Sequence, residues 1–188
     1  MKGIILFMKS SIHSLILSAE FSIIIALLSQ LSFPIGIIPL TGQTFAIGLA
    51  ATLLGKKIGT ISILIYLLLG LIGLPVFAGM TAGFGVLFGV TGGYLIGFIL
   101  NGWLTGMILE KTTFNYQYGI IANLIGSMVP MITGTLWLKL FSNSSWETAW
   151  MTGFLPFIIP WIIKAIASAY LGIFLRKRLS AYFFKIPN

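Results

Sequence analysis

Lys164 stands in an apolar segment, residues 153–175, that holds no other charged residue. If that segment is helical, the lysine lies about ten residues, ~15 Å at helical rise, from either end. An ammonium so deep in a bilayer costs at least ~2.5–3.5 kcal/mol, so it requires a partner or a wet cavity. Both ends are too distant for the side chain to snorkel comfortably to headgroups. Pro156 and Pro160 fall on the same helical face and interrupt it on the outer side, which is tolerated where backbone lines a cavity. The pattern points to a pocket for an anionic or carbonyl-bearing small molecule. Gln43, after Pro39-Leu40-Thr41-Gly42, either caps a helix or faces a ligand. Tyr94, Asn101, Asn123 and Ser127 are hydrogen-bonding groups inside apolar segments, suited to interhelical bonds or ligand contacts.

Other chemistries fail on inventory. There is no cysteine, hence no disulfide, thiolate metal site or thiol nucleophile. His13 is the single histidine, which leaves metal ligation and a Ser–His pair unsupported. Glu20, Glu110 and Glu147 are too scattered for a carboxylate pair. Gly55-Lys56-Lys57 departs from a phosphate loop, with Ala50 where a glycine is needed and Lys57 where Ser or Thr is needed. No metal, cofactor or enzymatic activity is expected, and no ATP site. Nor do the halves show the paired broken helices of a self-contained transporter. The chain is equipped to bind, with nothing to supply energy.

The elements that position these residues are set by the lipid. Residues 58–109 contain no Asp, Glu, Lys or Arg, nor do residues 21–55 and 112–138. Only 7% of the chain is charged, against roughly a quarter in soluble proteins. Residues 1–18 resemble a signal peptide, but the apolar pattern continues past Glu20 and reads as a retained first helix. At ~20 residues per crossing, the 188 residues make one all-α integral membrane domain, 1–188, of six transmembrane helices. The expected spans are 11–31, 40–55, 58–74, 86–109, 118–139 and 153–175.

A net charge of +8 invites a nucleic-acid reading, which the placement of the charges excludes. Lys2 and Lys9 precede the first span, Lys56 and Lys57 join the second and third, Lys111 joins the fourth and fifth, and Arg176, Lys177, Arg178 and Lys185 follow the sixth. The alternate connections, 32–39, 75–85 and 140–152, hold no Lys or Arg. By the positive-inside rule both termini are cytoplasmic, in a multi-pass protein of the plasma membrane. Lys139, at an outer helix end, can snorkel.

Two small-residue stripes stand out. Ser14, Ser18, Ser22 and Ala26 share one face of the first span, suited to packing within the bundle or to docking on a membrane partner. Gly85, Gly89, Gly93 and Gly97 share a face of the fourth, with Asn101 in register and Gly102 and Gly106 beside it. Internal packing accounts for its deeper part. The part nearer the outer loop, residues 79–93, points to a further role.

The run Gly73-Leu74-Pro75-Val76-Phe77-Ala78-Gly79, with Gly83, Leu87, Gly89, Thr91-Gly92-Gly93-Tyr94-Leu95 and Gly97-Phe98, resembles the signature of the BioY proteins. These are the biotin-binding S-components of energy-coupling factor (ECF) transporters. Pro39, Gln43-Thr44 and Leu53-Leu54-Gly55 are similar to that family's second-helix pattern, and Pro156-Phe157 with Lys164 to its sixth-helix motif. The similarity spans about residues 34–175.

The resemblance implies an S-component bundle of six helices that captures biotin from the outer face through loops one, three and five and the sixth helix. The implied ligand-binding residues are Gln43, Gly79, Thr81, Gly83, Gly93, Tyr94, Trp161 and Lys164. The implied partners are a transmembrane coupling subunit and two cytoplasmic ATPases. In the family an Ala-xxx-Ala stripe on helix one docks on the coupling subunit, and the matching register here is Ser14, Ser18, Ser22 and Ala26. The chain departs from the family at three places. Trp161 replaces an Asp usual three residues before the lysine, Thr81 replaces a common Asn, and Leu95 replaces an Arg found in some members. Without the Asp, the ureido N–H groups of biotin need another acceptor among Gln43, Thr81, Asn101 and Asn123. Lipoate, which has a carboxylate tail and no ureido donors, is the alternative ligand. A purely structural membrane subunit is the alternative of another class.

Overall fold

The computed structural model describes residues 2–183, with side chains described over residues 12–179. Seven α-helices follow in order: α1 (Lys2–Ser29), α2 (Gln43–Leu71), α3 (Phe84–Leu87), α4 (Gly92–Lys111), α5 (Tyr116–Ser142), α6 (Trp146–Gly153) and α7 (Ile158–Phe183). Between α1 and α2 a two-stranded antiparallel ribbon pairs β1 (Ser32–Phe33) with β2 (Leu40–Thr41), in the register Ser32 to Thr41 and Phe33 to Leu40. Short 3-10 turns at Ala78–Met80 and Leu155–Phe157 precede α3 and α7. Five helical stretches are long and apolar enough to cross a membrane: Ile12–Ser29, Gln43–Leu71, Gly92–Lys111, Tyr116–Ser142 and Trp146–Leu179.

The second and third expected spans, 40–55 and 58–74, are one assigned helix with a break. Gly55, at φ 81° and ψ −174°, is the non-helical residue inside α2. A Cβ on Gly59 would sit 2.9 Å from the Cα of Ala51. Residues eight apart in a straight helix are separated by ~12 Å, so the chain turns back on itself at this residue. Only glycine adopts that conformation readily. The Glu110 carboxylate of α4 then accepts the Lys56 backbone N–H at 2.7 Å, satisfying one of the orphan donors at the start of the second arm.

Two other boundaries also shift. The fourth span was expected from residue 86, but residues 84–87 form the separate α3 and the long helix begins at Gly92. The sixth was expected from residue 153, yet the chain makes a 3-10 turn around Pro156 before α7 starts. Pro160 falls in the first turn of α7, where its missing N–H removes no helical bond. Caps are set by sequence: Asn115 Oδ1 accepts from Tyr118 N at 2.9 Å, and Ser145 Oγ from Thr148 N at 3.1 Å.

Helix contacts run through glycine, because lipid offers no hydrophobic drive and van der Waals fit must hold the bundle. On α4, Gly93 and Gly97 face Thr133, Trp137 and Pro130 of α5, while Gly102 and Gly106 face Ile63 and the Lys56 backbone of α2. Gly126 of α5 answers with close approach to Thr105 and Asn101. On the α1 stripe Ser18 and Ser22 are buried, with Ser18 Oγ 3.5 Å from the Ile58 carbonyl of α2, while Ser14 and Ala26 are half-buried.

Gly55→Ala should lower the thermal midpoint of the purified protein in detergent. A side chain there meets both a glycine-only backbone conformation, worth roughly 1–3 kcal/mol, and the Glu110 carboxylate oxygen at 2.7 Å.

Candidate functional site

Lys164 sits on α7, facing the start of α2. Its amine donates to the Thr41 carbonyl at 2.8 Å and to Thr44 Oγ1 at 3.0 Å. An ammonium has three N–H groups, so one donor and the charge remain for something else. The residue lines a cavity of about 350 Å³ bounded by the ribbon, the first turn of α2, the 77–91 segment, α4, α5 and α7. The size falls in the range of small-molecule sites. Lys164 is the one charged residue among those lining it. The electropositive first turn of α2, with Gln43 and Thr44, shares the wall. Both features favour an anionic ligand.

Most of the wall is apolar. Phe77, Val86, Val90, Leu95, Phe98 and Met131 contribute it. Phe77 is 1% exposed, is seated on Gly70 and meets Tyr66 edge-on at 5.6 Å between centroids. Any side chain on Gly70 would occupy the ring's place. Tyr94 is held likewise. Its ring lies on Gly134 and its hydroxyl donates to the Gly153 carbonyl at 2.7 Å. The phenol is therefore committed to joining α4 to the end of α6, and the ring is what it offers to the cavity.

The polar groups form two networks. Gln43 is engaged at both ends of its amide in the first: its Oε1 accepts from Thr41 Oγ1 at 2.7 Å and its Nε2 donates to the Tyr66 hydroxyl at 2.5 Å. In the second, the Trp161 indole N–H donates to Ser127 Oγ at 2.8 Å, and Ser127 donates to the Asn123 carbonyl. Asn123 Nδ2 donates to Thr52 Oγ1 at 2.7 Å and to the Gly119 carbonyl at 2.9 Å. That leaves Asn123 Oδ1 as an acceptor beside the cavity, with Gly48 of α2 pressed against it.

Of the residues expected at the site, Gln43, Thr81, Tyr94, Trp161 and Lys164 line the cavity. Gly93 instead packs against Trp137 and Thr133. Gly79 and Gly83 are loop residues at φ 66° and 90°, shaping the segment that covers the cavity without being part of its lining. Asn101, considered as an acceptor, is fully buried between α4 and α5. Its Oδ1 takes the Thr105 hydroxyl at 3.1 Å, and its Nδ2 has no partner among the described residues. Thr41, Thr44 and Tyr66 were missed as functional groups. Thr41 and Thr44 flank Gln43 closely enough that an unpaired lysine's need for acceptors is a signal for them, whereas Tyr66 leaves none. Among the described residues no cluster of His, Asp or Glu could hold a metal.

The family model described as the BioY family matches residues 6–181. The chain is 44% identical over 138 residues to the biotin transporter BioY2 of Lactococcus lactis subsp. cremoris (strain MG1363), covering 73% of this chain and 76% of that protein. It is 40% identical over 99 residues to the biotin transporter BioY of Thermotoga maritima, covering 53% of this chain and 59% of that one. Among solved structures, the S-component for biotin from an ECF-type ABC transporter is similar at a TM-score of 0.83 and 34% identity. The match covers 90% of this chain and 93% of that chain.

Tyr94→Phe keeps the ring and removes the bond to Gly153. Loss of one buried hydrogen bond should cost about 1 kcal/mol, read as a lower thermal midpoint in detergent with ligand affinity changed far less than stability.

Proposed function

The chain belongs to the BioY family, and we infer that it is the S-component of an ECF-type transporter, capturing biotin for ATP-driven import. It is a transport subunit rather than an enzyme. The observation that carries the reading is a membrane-embedded cavity whose one charge is the Lys164 amine. Biotin has two kinds of oxygen acceptor for that amine, its carboxylate and its ureido carbonyl. Its ring and methylenes match the apolar wall of Phe77, Val86, Leu95 and Phe98.

The two ureido N–H groups need acceptors, since each left unpaired when buried costs roughly 1–3 kcal/mol. In place of the Asp implied by resemblance, Asn123 Oδ1 takes this role, since it accepts no hydrogen bond among the described residues, whereas Gln43 Oε1 already accepts one. Trp161 supplies a flat face and spends its N–H on Ser127. Thr81 and the backbone of residues 79–93 close the cavity on the outer side.

The break at Gly55 supports six passes, with α2 counted as two arms, and hence termini on one side of the plasma membrane. The distribution of Lys and Arg makes that side cytoplasmic. Energy comes from partners, a transmembrane coupling subunit and two cytoplasmic ATPases, as the S-component role implies.

Biotin titration of the purified protein tests the reading. Lys164→Ala should weaken binding roughly 30-fold or more, as expected for truncating a buried charge partner. Repeating both titrations with biotin amide identifies the contact. If the amine serves the carboxylate, the amide binds weakly to the parent protein and Lys164→Ala makes little further difference. If it serves the ureido carbonyl, the two losses add. Absence of biotin binding, or lipoate outcompeting it, overturns the assignment.

A further inference from the structure

Gln30, one residue beyond the end of α1, grips a piece of chain 46 to 50 residues away. Its carboxamide oxygen accepts the Met80 N–H at 3.0 Å, and its nitrogen donates to the carbonyls of Phe77 at 3.1 Å and Val76 at 3.3 Å. Beside it the fully buried Ser29 donates from Oγ to the same Val76 carbonyl at 2.6 Å and accepts the Gln30 amide at 2.7 Å. A primary amide has one accepting and one donating side. Here both are spent on main chain, as a neighbouring strand would spend its own N–H and C=O.

The gripped segment needs holding. It turns through Ala78–Met80, with the Phe77 N–H on the Thr81 carbonyl at 3.0 Å. Two successive residues there are left-handed, Gly79 at φ 66° and Met80 at φ 58°. Glycine adopts that conformation freely, whereas methionine does so against its own Cβ. The Met80 side chain is 66% exposed, so packing does not compensate. On either side the segment is fixed independently, by Phe77 seated on Gly70 and by the Gly83 N–H on the Gly70 carbonyl at 2.7 Å. The stretch between, which brings Ala78 and Thr81 to the cavity wall, takes its hold on the bundle from Gln30.

We propose that Gln30 is a positioning residue for ligand retention: its amide fixes the 78–81 turn over the cavity and so sets how slowly a bound ligand leaves. The identity of that ligand rests on the function proposed above. Gln30 does not itself line the cavity. A turn released from the amide returns Met80 to right-handed backbone and withdraws Ala78 and Thr81 from the wall. Losing the clamp therefore acts on departure more than on entry, the usual partition for changes around a binding site.

Gln30→Met keeps the length of the side chain and removes its hydrogen bonds. In purified protein loaded with labelled biotin and chased with unlabelled biotin, release should quicken roughly tenfold, while association changes less than ~3-fold. In the ligand-free variant, amide hydrogen exchange should quicken over residues 76–82 and stay parental in α1 and α2, with the thermal midpoint unchanged. In the opposite direction, Gln30→Cys with Met80→Cys, tied by a short thiol-reactive crosslinker in a chain without native cysteine, should release biotin more slowly than the untied pair. A parental release rate in Gln30→Met, or equal release from tied and untied pairs, overturns the proposal. So does faster exchange throughout α1 and α2 with a lowered midpoint, which would make Gln30 a general stabiliser. Absence of biotin binding by the parent would instead overturn the assigned function, and exchange over residues 76–82 would still decide whether Gln30 holds the turn.

Discussion

The structure turns on keeping one ammonium inside a lipid-embedded bundle without a carboxylate beside it. The sequence contains only three acidic residues, Glu20, Glu110 and Glu147, and none lines the cavity. The Lys164 amine is solvated by a carbonyl and a hydroxyl instead. Such neutral acceptors stabilise the charge without cancelling it, which an internal Asp would do. The cavity therefore keeps a net positive field in a low-dielectric setting, where an incoming oxygen anion gains far more than it would in water. An acid at the site would have tightened the empty protein and weakened that attraction.

Rigidity of the surrounding wall comes from backbone contacts. Gly134 beneath Tyr94 and Gly70 beneath Phe77 are the clearest cases, since each aromatic ring occupies the space a Cβ would take. Close approach of this kind is what lipid-embedded helices use in place of hydrophobic association. It also lets two large rings stand at defined positions on the cavity wall. At the break within α2, Gly55 and Glu110 solve a different problem by similar means. Glycine permits the reversal, and the carboxylate satisfies the N–H that the reversal leaves bare.

Parts of the site were legible because they are one-residue problems. A lysine in a long apolar run has to be explained wherever the helix packs, and Lys164 did face a cavity. Polar residues inside spans were less readable. Asn101 and Asn123 look alike in sequence, each in an apolar helix with small neighbours. Packing sends Asn101 into the α4–α5 contact and Asn123 to the cavity edge. The serine stripe on α1 had two consistent readings, and the structure buries Ser18 and Ser22 of it while leaving Ser14 and Ala26 half-buried. The short α3 was hidden inside an apolar run whose composition also suits a longer helix.

Composition and the spacing of charges by themselves determined that the chain lives in lipid and which lysine demands a cavity. Those conclusions follow from transfer energies, which depend on residue type and segment length. Only the tertiary structure decided which acceptors hold the amine, which amide stays free and which face of α1 remains open. Hydrogen-bond partners across helices depend on rotation and depth, and the spacing of residues along one helix does not specify how it is turned toward the next.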